Sequence, residues 1–549
     1  MRAAKDTNGI NRTKGWVSAF LLFYLLAFLP SATTAKQLTV TVDSVGQLAR
    51  QLPDSTRYSM SELKICGPLN GNDLKIIQQI SGRLRTKKSG DYTLTTIDLS
   101  EASIVESKDD FPTHEGVLPA AMFINCKNLQ QVVVPSNTKE IGRSCFSGCS
   151  GLTRVIIPET TTIIAEYAFA GCTSLAEIRL PQQLRTIEKH AFEGCTMLAS
   201  IDLPCPIIRI SNSTFAGCRQ LTSIVLPETV TLIGEKAFAD CQALRSVQTP
   251  EGLREIGNEA FIDCTSLDSF RIASAEHLGS EAFKGCTNLQ SVYIAGNLQA
   301  IGSETFADCM NMTSITLPGS VKSIGNRAFF GCKKLPRIDL PSSLTRIYDH
   351  AFERCTSLKS LVIPKMTKRL GSDTFEGCAS LDSVYIQGFV DELESNIFRY
   401  CHSLRMVVLP VTLKIIGDNA FEQCTSLQNI NLPISVKAIG DNAFEQCASL
   451  RSLIIPAACE QIGSSSFREC SSLTDVELPA SLKKIGGNAF AKCISLKSIT
   501  LNSPMPPAIT HSTFKGVVLN ACSVYVPHGA KTHYKHDKSW KKLSKIIEQ

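Results

Sequence analysis

Asn442-Ala443-Phe444-Glu445-Gln446-Cys447, with Leu450 three residues beyond the Cys, is the stretch from which the fold can be read. Its core, Phe-x-x-Cys-x-x-Leu, recurs along most of the 549 residues. Phe123 opens a series through Phe146, Phe169, Phe192, Phe215, Phe238 and Phe261 at a period of 23. One step of 22 leads to Phe283, and the period of 23 then holds through Phe490. A Cys follows each Phe by three residues, from Cys126 to Cys493, which makes seventeen copies. An eighteenth, at Phe514, carries Val517 where the Cys belongs. Repeats of this length mean a solenoid, a propeller or an array, whose units bury their apolar faces against their neighbours.

Each unit divides into three parts. In Leu427-Gln428-Asn429-Ile430-Asn431-Leu432-Pro433, Ile430 and Leu432 alternate with polar residues, as in a strand with one buried face. Pro433 ends that strand because it has no N–H for a ladder. Val436 to Gly440 is a second short extended piece turning at the Gly. Asn442 to Cys447 fits a single helical turn, with Asp441 or Asn442 as N-cap. Stacked in parallel at about 4.8 Å, seventeen such coils span roughly 80 Å.

The Leu-x-x-Ile-x-Leu strand in a 23-residue unit is a leucine-rich repeat pattern. The further signature Ile-Gly-x-x-Ala-Phe-x-x-Cys-x-Ser-Leu, clear in Ile416 to Leu427 and Ile439 to Leu450, resembles the BspA-type leucine-rich repeats of surface proteins from mucosal bacteria and some mucosal protists. Departures are small: Leu278, Leu370 and Leu393 replace Ile, and Met312 replaces Leu. Lys64 to Asp73 resembles the N-terminal module of the bacterial members, and Val524-Tyr525-Val526-Pro527 with Tyr534 and Trp540 resembles their ending. The expected fold is a leucine-rich repeat solenoid of stacked parallel strands with short helical turns, covered at both ends.

Four segments follow. Residues 1–35 read as a signal peptide: Arg2, Lys5, Arg12 and Lys14 precede an apolar run from Trp16 to Leu29. Small residues then lead to a cleavage site after Ala35. Residues 36–115 form an N-terminal cap region, with strand alternation at Leu38 to Val42 and helical spacing at Val45 to Leu52 and Leu74 to Leu84. The solenoid runs over 116–502. Residues 503–549 hold the degenerate last repeat and a C-terminal cap. The mature chain is expected to be secreted or held at the cell surface, with no further span and no anchoring domain after Gln549. Without residues 1–35 it has 52 basic and 49 acidic residues. That balance does not suggest nucleic acid as a partner.

Two features of the repeat invite a chemical reading and are better explained by packing. The Phe column, as in Phe421 and Phe444, stacks ring on ring, each buried ring contributing about 1.5–3 kcal/mol. The Cys column, as in Cys424 and Cys447, suggests disulfides in a secreted chain. Side chains at one position of successive coils, however, point the same way at the strand spacing of about 4.8 Å. A disulfide wants Cβ atoms about 3.8 Å apart. A reduced, packed ladder is therefore expected, with Cys66, Cys145, Cys205, Cys459 and Cys522 outside it. His533 and His536 sit one helical turn apart but have no third ligand close by. No Gly-x-Ser-x-Gly, phosphate loop or His-Glu-x-x-His occurs. No enzyme activity, cofactor or metal site is expected.

The positions that the repeat leaves open carry the functional expectation. The residue before the inner Ile or Val of each strand is mostly Ser, as in Ser223, Ser360 and Ser452. The residue after it varies freely and should point outward. Arg271, Tyr293, Asp339, Tyr385, Asn431 and Glu477 occupy it, alternating with Val and Ile at positions such as Val362 and Val408. Tyr and Arg are frequent interface anchors. The resemblance implies adhesion: binding host matrix or plasma proteins, or other microbial cells, through this face. The alternative is a glycan-binding or nutrient-capture accessory protein, for which Tyr385, Asp339 and Glu477 would supply the aromatic platform and carboxylates.

Overall fold

The computed structural model describes residues 36–83, 93–108, 111–543 and 545–549. The signal peptide read over 1–35 lies outside them. The chain winds as a succession of parallel coils with little helix. In most coils the first strand (Ser223–Val225, for example) pairs in register with its equivalent one repeat on. The second, two-residue strand (Leu232–Ile233) does the same on an adjacent side. Ile224, Leu226 and Ile233 point into the core while Ser223 and Val225 face out, which is the alternation expected from the pattern. The region before the repeats joins the same ribbon: Gln37–Thr41 pairs with Glu62–Leu69, which pairs with Thr96–Asp98, and Gln131–Val133 follows. Helix Gly71–Ile80 is held by a capping box between Asn70 and Asp73. The Asp73 carboxylate also accepts from the N–H groups of Gly46 (2.7 Å) and Leu48 (3.0 Å).

The third side differs from the expected helical turn. Asn442 and Gln446 take left-handed φ values of 54° and 61°, which no helix tolerates in succession. Alternate N–H groups leave the coil: those of Asn442, Phe444 and Gln446 donate to Ser464, Ser466 and Arg468 carbonyls of the next coil at 2.7–2.8 Å. Those between close local turns, Glu445 N–H to Asn442 and Cys447 N–H to Phe444. The third side is thus itself a ladder between coils, and its donors are not free to form a helix. The Gly in Ile-Gly also has another reason than a left-handed turn. Gly440 has no positive φ, but a Cβ there would come within 2.5–2.7 Å of Asp418 and Gly417 in the coil before. Only Gly permits that approach.

Inside the third side the Phe rings form one column. From Phe123 to Phe514, successive centroids lie 5.0–5.7 Å apart with planes within 19° of parallel. The column ends against Trp540, which meets Phe514 edge-on at 5.8 Å. Its indole N–H donates to Pro507 O at 2.8 Å, and Tyr534 packs on it while donating to Ser503 O at 2.9 Å. At the other end Gln78 of the helix reaches Met122 Sδ at 3.7 Å beside Phe123.

The Cys column is a second ladder, and its geometry explains the residue. Each thiol from Cys149 to Cys493 donates to the carbonyl of the Phe 26 residues back, or 25 at the short step, at 2.8–3.3 Å. Phe421 O, for instance, accepts from Cys424 N–H within its coil (3.1 Å) and from Cys447 Sγ of the next (3.2 Å). The thiol is small and apolar enough for the core yet still satisfies the carbonyl's second lone pair. All 22 cysteines are unpaired. Burial pushes the Cys424 thiol well above the ordinary range, and those of Cys195 and Cys378 up to about 12.

Candidate interaction surface

Outward positions of the first strand form one exposed row, and the strand's own regularity depends on what occupies it. The segments around Arg179, Asp202, Asp339 and Asn431 are not strand, whereas those around Ile156, Val225, Tyr293, Val362, Tyr385 and Ile454 are. Within the repeats Asp202, Asp339 and Asn431 each coincide with a lapse of the ladder, as expected of residues that fit a pleated surface poorly, whereas Asp98, ahead of the repeats in the same row, sits in a paired strand.

The structure places the six expected residues outward but does not gather them into one site. Arg271 and Tyr293 are in register on paired strands. The Arg271 guanidinium lies 5.3 Å from the Tyr293 ring centroid and forms a 2.7 Å ion pair with Glu251. Tyr385, four coils on, donates to Met406 Sδ at 3.9 Å. Asp339 pairs with Arg337 at 2.9 Å, Glu477 accepts from Asn502 at 2.9 Å, and Asn431 is exposed. Asp339, Tyr385 and Glu477 therefore sit on separate coils with separate partners. Phe421, Cys424, Phe444 and Cys447 are fully buried in the two ladders. The His533 and His536 rings each bond a backbone carbonyl, of Pro504 and Thr532. No three metal-ligating side chains converge among the described residues, and no helix among them is long and apolar enough to cross a membrane.

Reading only the strand row missed the corner that follows it. The residue after the strand-ending Pro is polar in the early coils, as in Glu159, Gln182, Glu228 and Glu251, with Cys205 the exception. Further on it becomes Val411, 82% exposed, and Ile434, 84% exposed. One place further along the corner, Met366 and Phe389 are also more than half exposed. The signal was present in the sequence as a polar-to-apolar change at one repeat position.

A second feature also belongs to the tertiary structure. At the step from Ile187 to Ile210 the second ribbon breaks, and the first ribbon lapses at 178–180 and 201–203. Nowhere else among the described residues do both ribbons lapse at one step. Ser211 donates to Ile187 O through its hydroxyl (2.7 Å), where other coils use the backbone N–H. Open clefts of about 630 and 580 Å³ flank the step, lined respectively by Arg179 with Asp202 and by Arg185 with Pro206. Third-side bonds still cross it, Phe192 N–H to Thr214 O and Gly194 N–H to Ala216 O. The Phe192–Phe215 spacing, 5.7 Å, is the widest in the column.

On the third side a charged column runs outside the Phe rings through Glu353, Glu376, Arg399, Glu422, Glu445 and Arg468. Arg399 pairs with Glu422 and Arg468 with Glu445. Glu376 instead shares a hydrogen bond with the Asp373 carboxyl. Desolvation, that bond and the charge of Asp373 push Glu376 up to about 7.

A family profile agrees with this architecture. The family profile described as BspA type leucine-rich repeat region matches residues 116–224, 208–310, 299–407 and 391–519. No curated protein matches the chain significantly. Similar solved structures include a leucine-rich repeat protein from Bacteroides ovatus, 26% identical over 83% of this chain and 92% of that one, with a TM-score of 0.42. A leucine-rich cell surface protein from Faecalibacterium prausnitzii is 26% identical over 55% of this chain and 86% of that one, with a TM-score of 0.36. The pneumococcal vaccine antigen PcpA is 21% identical over 62% of this chain and 85% of that one, with a TM-score of 0.35.

Proposed function

The chain belongs to the BspA-type leucine-rich repeat family, and from that premise we propose that it is a secreted or cell-surface recognition protein. Its face of outward strand positions binds extracellular proteins: host matrix or plasma proteins, or the surfaces of other microbial cells. The observation that carries this reading is the exposed row itself. The repeat dictates the inward residues of every coil and leaves these free, so variation is concentrated where a partner could read it. Because the coils are held by three ladders, binding would require little ordering of the chain, which favours affinity. Arg271 stacked beside Tyr293, and Tyr385 further along, are the anchors.

The chain without residues 1–35 would be applied to immobilised matrix and plasma proteins and to whole microbial cells, alongside Tyr293→Ala, Tyr385→Ala and the double variant. The double variant is expected to weaken the strongest interaction at least tenfold with unchanged thermal stability. Binding that is equal in parent and double variant would sink these anchors, and absence of binding to any surface would sink the function. N-terminal sequencing of protein exported by its own cell should begin at Lys36.

A further inference from the structure

Resting on the recognition function just proposed, we propose that the apolar strip over coils 360–455 docks a protein segment whose apolar side chains are bordered by Asp and Glu. The strip has two rows. On the strand, Val362 and Tyr385 are in register, Tyr385 and Val408 are in register, and Ile454 lies two coils further, 67% exposed. Along the corner, Phe389, Val411 and Ile434 follow one another, and the Ser435 hydroxyl ties its coil to Val411 O at 2.7 Å. The strip is about 20 Å long at the strand spacing. Its leading end opens on a groove of about 690 Å³ where the Asp339 strand lapses, lined by Val362, Met366 and Lys365. Contiguous exposed apolar surface on a folded protein marks a place of contact. The repeat supplies its own control, since the equivalent corner positions in early coils are Ser, Glu or Gln apart from Cys205.

The rim selects the occupant. Asp382, Asp391 and Glu460 beside the strip are each taken, by Arg405 (3.7 Å), Lys414 (3.7 Å) and Lys483 (2.7 Å). Lys359, Lys365, Lys368, Lys437 and Arg451 are in no ion pair among the described residues. Glu392, exposed beside Asp391, is also in no ion pair among the described residues, so unmatched positive charge predominates along the edge of the strip. A second copy presenting the same strip would set like charges together, which is costly at an interface. A segment with apolar anchors and flanking carboxylates meets both the rows and the rim.

An array of 15-residue peptides, Leu/Phe/Ile-centred with flanks of Asp/Glu, Ser/Gly or Lys/Arg, would be probed with the chain lacking residues 1–35. Acid-flanked apolar peptides are expected to be retained at least tenfold better than the basic-flanked set. V411D/I434D should abolish that retention, and K365E/K437E should move the preference toward basic flanks. Both pairs alter exposed side chains, so thermal melting should not change. Equal retention across the flank classes, or retention unaffected by V411D/I434D, overturns the docking site. So does concentration-dependent self-association that V411D/I434D removes, because the occupant is then a second copy. If parent and V411D/I434D bind matrix proteins or cells equally, recognition stands and this strip is not where it occurs.

Discussion

The thiol ladder gives the most exacting test of how this solenoid is held. Twenty of the 22 cysteines are buried, Cys66 is half-buried beside Glu101, and Cys205 is exposed. The perturbation is a thiol reagent in excess at pH 8. An ordinary thiol with a pKa near 8.5 is about one-quarter thiolate there. A thiol pushed up to about 12, as at Cys195, Cys378 and Cys493, is thiolate about one part in ten thousand. Reactivity tracks the thiolate, so these positions lose more than about a thousandfold even before their lack of solvent contact is counted. The expected titration of the native chain is one fast thiol, Cys205, and one slower, Cys66, whose pKa is raised by burial and by Glu101. The other twenty should stay silent. Cys205→Ser should remove the fast phase alone. Unfolding the parent in denaturant without reductant should bring the total number of reactive thiols to 22. Fewer than about ten would mean that coils are joined by disulfides, and the thiol-to-carbonyl ladder would be wrong. Many native thiols reacting at the rate of Cys205 would refute the burial argument.

Two further outcomes follow from the third side and from the double lapse. The Glu376 carboxyl is raised in the fold to about 7, so the stability it contributes is fully present below its unfolded value of about 4.5 and is lost as pH rises through about 7. Denaturant midpoints should fall between about pH 5 and 8, and Glu376→Gln should flatten that slope and be more stable than the parent at pH 8; an identical slope would refute the assignment. In hydrogen-exchange mass spectrometry, peptides over 176–187 and 199–211 should exchange ahead of those over 360–386, where the first ribbon is paired. Uniform protection along the solenoid would show that the lapse carries no mechanical weakness.

Periodicity alone determined the coil, its parallel ladders and its inward residues, because a 23-residue repeat can bury Phe, Cys and Leu only by stacking the same positions. The expected strand at Leu38 to Val42 appears as Gln37–Thr41, and the helical spacing from Leu74 appears as the helix Gly71–Ile80. What tertiary structure decided lies between coils. The left-handed turn at Asn442 exists because its N–H is used by Ser464, 22 residues away. Cys447 is Cys because a carbonyl of the preceding coil has a lone pair to satisfy. The outward row was legible as a list of residues. Its grouping was not: Tyr293 is joined to Arg271 by register, while Tyr385 shares a strip with Val411 and Ile434, which follow Pro410 and Pro433 at the corners of later coils. A repeat specifies what each coil does to its own core. Which exposed residues become neighbours depends on where the ladders continue and where an Asp, an Asn or a Pro interrupts them.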